Sequence, residues 1–165
     1  MGTAKVGIVM GSDSDLNIMQ ETATILTKFQ IPYEMTVASA HRSPQRAGEF
    51  AAAALERGMQ VIVAGAGHAA HLAGVLAAHT TLPVIGVPID SSCLQGLDAL
   101  LATVQMPPGI PVATMAIGKP GARNAGILAA QIIATSNPKL AVKLQNFKQE
   151  MASQVEKKAK KIESL

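Results

Sequence analysis

The stretch Val61-Ile62-Val63-Ala64-Gly65-Ala66-Gly67-His68-Ala69-Ala70-His71-Leu72 decides the fold. Its opening residues are apolar without alternation and mostly β-branched, as a strand buried on both faces requires. Small residues then give way to an Ala- and Leu-rich run that predicts a helix over His71–Ala78. The same strand-then-helix grammar repeats on either side. Strands are expected at Val6–Met10, Tyr33–Ala38, Val61–Ala64, Val84–Val87 and Val112–Ala116, and helices at Asp15–Phe29, Gln45–Arg57, Leu94–Thr103 and Ala122–Ala134. Alternating β and α units predict an α/β fold, a central parallel sheet with helices on both faces. At 165 residues the chain is expected to form a single domain, with its core over about 5–135.

Beyond that core the composition changes. Leu140, Leu144, Phe147, Met151 and Val155 recur at spacings of four, three, four and four, one face of an extra C-terminal amphipathic helix over Pro138–Ser164. That face must be buried, either on the chain's own sheet or against a neighbouring subunit. The second is favoured, because five strands close a body without it. Lys157, Lys158, Lys160 and Lys161 read as a frayed, solvated end.

Charge and composition narrow the function classes. Fourteen Lys and Arg against eleven Asp and Glu leave +3, most of it in the last helix, so the body lacks the cationic stripe that nucleic acid demands. No Trp, one Tyr and three Phe supply neither base-stacking platforms nor an aromatic clamp for a flavin. The single cysteine, Cys93, forms no internal disulfide and is read as a small buried thiol. No apolar run approaches the ~20 residues of a bilayer span and the first residues lack a signal-peptide pattern, so a cytoplasmic location is expected.

Ligands of open parallel sheets bind beyond the carboxyl ends of the strands. The first such turn, Gly11-Ser12-Asp13-Ser14-Asp15, offers glycine, hydroxyls and the free amides of a helix start, a setting for phosphate. Asp15 would repel phosphate and suits ribose hydroxyls instead. Ser14 or Asp13 acting only as a helix cap explains the same residues, and spacing leaves both readings open. The second turn, Ser39-Ala40-His41-Arg42-Ser43-Pro44, carries a guanidinium able to fork onto phosphate and an imidazole able to give and take a proton near neutral pH. The third matches GxGxxA, which with Asp90 permits a dinucleotide-dependent oxidoreductase, although the motif sits on the third unit rather than the first. His68, His71 and His79 would share an arc only if all three were helical; His68 is expected in the turn before the helix, no carboxylate or thiolate completes a set, and no metal is expected. A non-catalytic phosphate-binding module is the remaining reading.

Together these turns, with Leu82-Pro83-Val84-Ile85-Gly86-Val87-Pro88 and Val104-Gln105-Met106-Pro107, resemble the N5-carboxyaminoimidazole ribonucleotide mutase family of purine biosynthesis over about residues 5–135. The resemblance implies a flavodoxin-like three-layer sandwich, a homo-octamer with sites between subunits, no cofactor, and an ATP-dependent carboxyaminoimidazole ribonucleotide synthase as pathway neighbour. It also implies that Ser12, Ser14 and Arg42 hold a ribonucleotide phosphate, Asp15 binds the ribose, Ser39 is a further substrate-binding residue, and His41 acts as general acid/base. The turn from Gly67 to His71 would enclose base and carboxylate. Where the family shows Gly-Gly-Ala-Ala-His-Leu-Pro-Gly, this chain has His68 for a glycine and Ala73 for a proline. A related class carboxylates aminoimidazole ribonucleotide directly with carbon dioxide and carries Ser-Ala-His-Lys; Ser39-Ala40-His41-Arg42 favours the mutase.

Overall fold

A computed structural model describes residues 3–165. Five parallel strands, β1 (Val6–Met10), β2 (Tyr33–Val37), β3 (Val61–Gly67), β4 (Val84–Ile89) and β5 (Ala113–Thr114), lie in the order β2-β1-β3-β4-β5. This is the flavodoxin-like order, and the predicted three-layer sandwich is what the structure shows. The helices are α1 (Leu16–Lys28), α2 (Pro44–Ala54), α3 (Leu72–Ala78), α4 (Leu97–Val104), α5 (Gly118–Ala134) and α6 (Pro138–Glu163).

Every residue of β1 and β4 is buried, yet within those apolar runs alternate residues serve different layers. Val6, Ile8, Val61, Val63, Ile85 and Val87 face α1 and α5, against Met19, Leu26, Ala122, Ala125 and Ala129. Val9, Ile62, Ala64 and Val84 face α2 and α3, against Ala47, Ala51, Leu72 and Leu76. At about 25 cal/mol per Å² of apolar surface, burial on both faces is the dominant favourable term. The outer strand β2 differs: Tyr33 and Val37 are exposed, because only one neighbour pairs with it.

Several boundaries depart from expectation for local reasons. β3 continues through Gly67, and β4 runs through Pro88 to Ile89, because β5 pairs only with Ile85 and Gly86 and leaves β4 a free edge where proline's missing donor does little harm. β5 is two residues, not five. Helix α4 starts at Leu97 instead of Leu94, since Gln95 (φ 51°) and Gly96 (φ 87°) are both left-handed. Helix α5 starts at Gly118 instead of Ala122; Pro120 lies in its first turn, where an amide hydrogen has no partner to lose.

Helix α6 divides. Leu140 is buried, Leu144 and Phe147 pack on the α1–α5 core, and the Phe147 ring meets Phe29 edge-on at 5.5 Å. Lys28 caps that contact, 4.4 Å above the Phe147 ring and 3.7 Å from Glu150. Of the two alternatives for this apolar face, burial on the chain's own body, the less favoured one, holds for its first half. Met151, Val155 and Ile162 remain exposed, and the lysine-rich end is solvated but helical through Glu163.

Gly121 admits α5 to its place: a Cβ there would overlap the Ala116 carbonyl oxygen, which belongs to the backbone and cannot swing aside. Gly121→Ala should destabilise by about 1–3 kcal/mol. Gly74→Ala, whose Cβ meets only the flexible end of Met106 at 3.1 Å, should change stability by under ~1 kcal/mol. Urea unfolding of both variants checks the contrast.

Candidate active site

The loops after β1 to β4 enclose a crevice of about 580 Å³, lined by Gly11, Ser12, Ser14, Asp15, Ser39, Ala40, His41, Arg42, Ala66, Gly67, His68, Ala69, His71, Leu72 and Ser91. It lies where the chain leaves β1 in one direction for β2 and crosses back to β3, the switch point of a doubly wound sheet. All eight residues singled out from sequence, Ser12, Ser14, Asp15, Ser39, His41, Arg42, Gly67 and His71, line it. A larger hollow of about 750 Å³ opens at the opposite edge, among Lys5, Phe29, Pro32, Gln60 and Leu140. It has no imidazole or carboxylate in its lining, so the chemistry belongs to the smaller crevice.

At the first turn Ser12, in extended backbone, caps a single 3₁₀ turn over Asp13–Asp15. Its hydroxyl accepts from the Ser14 amide at 3.4 Å, and Asp15 Oδ2 accepts from the Ser12 amide at 3.1 Å, a capping box. The cap is thus Ser12, not Ser14 or Asp13. Asp15 is buried, and that desolvation holds its carboxyl above the usual range, against the lowering pull of its hydrogen bonds and of Arg42.

The second turn is folded by its own serines. Ser39 Oγ accepts from the Arg42 amide at 3.1 Å, and Ser43 Oγ accepts from the Ser39 amide at 2.9 Å. This turn aims the Arg42 side chain back across the crevice, where Nη2 donates to the Gly11 carbonyl at 3.0 Å. A guanidinium therefore stands beside the hydroxyls of the first turn, as a phosphate pocket needs.

The third turn supplies what spacing did not reveal. His71, the residue before α3, places Nδ1 2.8 Å from His41 Nε2, with the rings 78° apart in an edge contact. One of these nitrogens must carry the proton and the other must be bare, so each tautomer fixes its partner's. Thirty residues separate the two histidines, which no local spacing rule connects. The three histidines of the supposed metal arc diverge: His71 faces His41, His68 Nδ1 lies 3.2 Å from Ser91 Oγ, and His79 lies against Gly48. Among the described residues no group of three or more His, Cys, Asp or Glu could hold a metal ion.

Two residues of the fourth turn depart from the sequence reading. Cys93 is exposed rather than buried, because the left-handed Gln95–Gly96 pair carries this turn off the sheet before α4 begins. Ser91, given no role from sequence, reaches the crevice. Ser92 beside it donates to Asp98 Oδ1 at 2.8 Å, which holds the Asp98 carboxyl below its ordinary range.

A doubly wound sheet with a polar crevice and a paired imidazole at its switch point defines a flavodoxin-like α/β protein built to bind a small polar ligand. A family model described as AIR carboxylase matches residues 5–154, and the chain belongs to that family. It is 56% identical over 160 residues to N5-carboxyaminoimidazole ribonucleotide mutase of Pyrococcus horikoshii, covering 97% of this chain and 89% of that protein. Identity with the mutase of Thermotoga maritima is 53% over 161 residues, 98% and 93% of the two chains. A phosphoribosylaminoimidazole carboxylase of Schizosaccharomyces pombe is 52% identical over 97% of this chain, which spans 29% of that protein. Among solved structures, Treponema denticola PurE superposes with a TM-score of 0.84 at 26% identity, over 94% of this chain and 96% of that one.

The position of Asp15 makes a pH test available. A carboxyl raised by burial contributes most to stability while protonated, and that contribution is lost as pH rises through its folded value. Asp15→Asn keeps an acceptor for the Ser12 amide and carries no charge. The melting temperature of the variant relative to wild type should therefore climb between about pH 4 and pH 7. A flat difference across that range would show that burial does not govern this carboxyl.

Proposed function

We propose that the protein interconverts N5-carboxyaminoimidazole ribonucleotide and 4-carboxy-5-aminoimidazole ribonucleotide, a step of purine biosynthesis. The observation that carries this reading is the His41–His71 pair at 2.8 Å, set in the same crevice as Arg42, Ser12 and Ser14. The family and the names of its relatives support the same reaction.

The residues suit each step. Ser12, Ser14, Ser39 and Arg42 hold the 5′-phosphate, and Asp15 takes a ribose hydroxyl with the oxygen its cap leaves free. His41 gives its proton to the carbamate nitrogen, the nitrogen–carboxyl bond breaks, and carbon dioxide is freed beside the ring. The electron-rich ring carbon attacks that carbon dioxide, and the proton displaced from this carbon returns to His41. No proton is gained or lost overall, so one imidazole serves both transfers, with His71 holding the ring and its tautomer. Retaining carbon dioxide against the ring replaces a bimolecular capture, which a small crevice does better than an open cleft. The reaction calls for no metal or organic cofactor.

The purified protein given the carbamate substrate should form the ring-carboxylated isomer without ATP, NADH or metal, at a rate EDTA does not change. His41→Asn should lower turnover at least ~10²-fold while ribonucleotide affinity stays within about tenfold. Efficient carboxylation of aminoimidazole ribonucleotide at low bicarbonate, with the carbamate inert, would assign the direct carboxylase reaction, the one named for the Schizosaccharomyces pombe relative.

The proposed working form is a cytoplasmic homo-octamer acting after an ATP-dependent synthase of the carbamate. Two uncovered apolar faces support assembly. Leu97, Leu101 and Val104 form one stripe along α4, extended by Leu94 in the turn before it, each about half exposed, and Met151, Val155 and Ile162 form another along the outer half of α6. Among the described residues no helix is long and apolar enough to cross a membrane. Removing residues 152–165 should leave the monomer folded and reduce the mass seen by light scattering, whereas removing 138–165 should also destabilise the fold by several kcal/mol through loss of Leu140 and Phe147. An unchanged mass after the shorter cut would show that the outer half of α6 joins no subunits.

A further inference from the structure

We propose that His68 is a specificity residue that binds the carboxylate of the ligand, through the ring nitrogen Ser91 leaves free. This rests on the ribonucleotide reading of the crevice and deepens it. His68 has φ 54°, backbone that glycine adopts freely and a side chain rarely does. Gln30 and Gln95 share this region, but Gln30 follows the end of α1, where left-handed residues are ordinary, and Gln95 closes the Ser92–Gln95 turn outside the crevice. His68 ends no helix. It follows β3 directly in a turn that lines the crevice, and a strained backbone kept at such a place points to work done by its side chain.

The neighbours say which work. A Cβ on Gly67 would overlap Ser91 Oγ, so glycine at 67 is what lets the β4 turn close on the β3 turn. Ser91 Oγ then stands 3.2 Å from His68 Nδ1. With the hydroxyl donating, the ring proton sits on Nε2, and a neutral imidazole presents a donor suited to an anionic oxygen. The order of the loops fixes which anion. Arg42 and the serines stand after β2 and β1, the His41–His71 pair bridges from β2 to β3, and His68 with Ser91 stands after β3 and β4. A ribonucleotide laid across the strands with its phosphate at Arg42 and its reacting carbon at the histidine pair brings the carboxyl substituent toward His68.

The test compares binding of aminoimidazole ribonucleotide with that of its 4-carboxy derivative by calorimetry, in wild type, His68→Gly, His68→Asn and Ser91→Ala. In His68→Gly, affinity for the carboxylated ribonucleotide should fall about tenfold or more while that for the uncarboxylated one stays within twofold, since a hydrogen bond to a charged group is lost only from the first. The melting temperature should not fall, because glycine relaxes the turn. Asparagine, which keeps a donor, should recover part of the loss, and Ser91→Ala should show a smaller loss in the same direction. Equal losses for both ligands, no loss for either, or a change in oligomer mass in His68→Gly would overturn the role of His68 alone. A wild-type protein that binds neither ribonucleotide would overturn the reading of the crevice, and this proposal with it.

Discussion

Helices press on both faces of a sheet whose central strands carry Gly7, Gly65 and Gly86, and this close approach is the constraint on which the architecture depends. A Cβ at Gly65 would strike Met19 of α1, one at Gly86 would strike Thr103 of α4, and one at Gly7 would come within 2.8 Å of the Phe50 ring on α2. The three glycines lie on different strands and serve both layers, so the packing distance is set by the absence of side chains where the helices cross. Larger residues there would force the layers apart and open voids beside Ile8, Val63 and Ile85, each fully buried. The loops at the carboxyl edge inherit their positions from this packing. They converge because the strands beneath them are held in register, Met10 beside Gly65 and Ala66 beside Pro88.

The crevice is polar where the body is apolar, and three side-chain contacts tie its loops together. Arg42 holds the second turn to the first through the Gly11 carbonyl, His71 holds the third to the second, and His68 meets the fourth at Ser91. These cross-loop bonds organise the ligand groups before a ligand arrives, which lowers the ordering entropy of binding. Asp15 is the buried carboxylate of the crevice. Its burial resists ionisation, while the Ser12 amide and the Arg42 charge favour it.

Helix α6 serves two surroundings along one continuous stripe. Its first turns complete the core that α1 and α5 begin, and its later turns carry the same apolar spacing past the edge of the subunit. A single periodic pattern thus reads the same whether its residues meet the chain's own core or stand exposed beyond it.

The layer order was legible in the residues because continuous apolar strands alternating with helices of 3.6 periodicity have few ways to bury both strand faces, and right-handed crossovers leave fewer still. The serines, Arg42 and His41 were legible because chemistry collects after strand ends. Other features were not. Spacing placed His68 in the turn before α3 but did not show the partners of the three histidines, which the left-handed backbone at His68 and the start of α3 at Leu72 send to three different neighbours. The α4 boundary, the exposure of Cys93 and the division of α6 likewise depended on left-handed residues or on which surfaces the packed helices had already covered. The sequence by itself determined which elements form and which polar groups stand at their ends, since both follow from local periodicity and turn chemistry. Only the tertiary structure decided that His41 meets His71, because that contact joins residues thirty positions apart through two strands whose spacing is set by the packing beneath them.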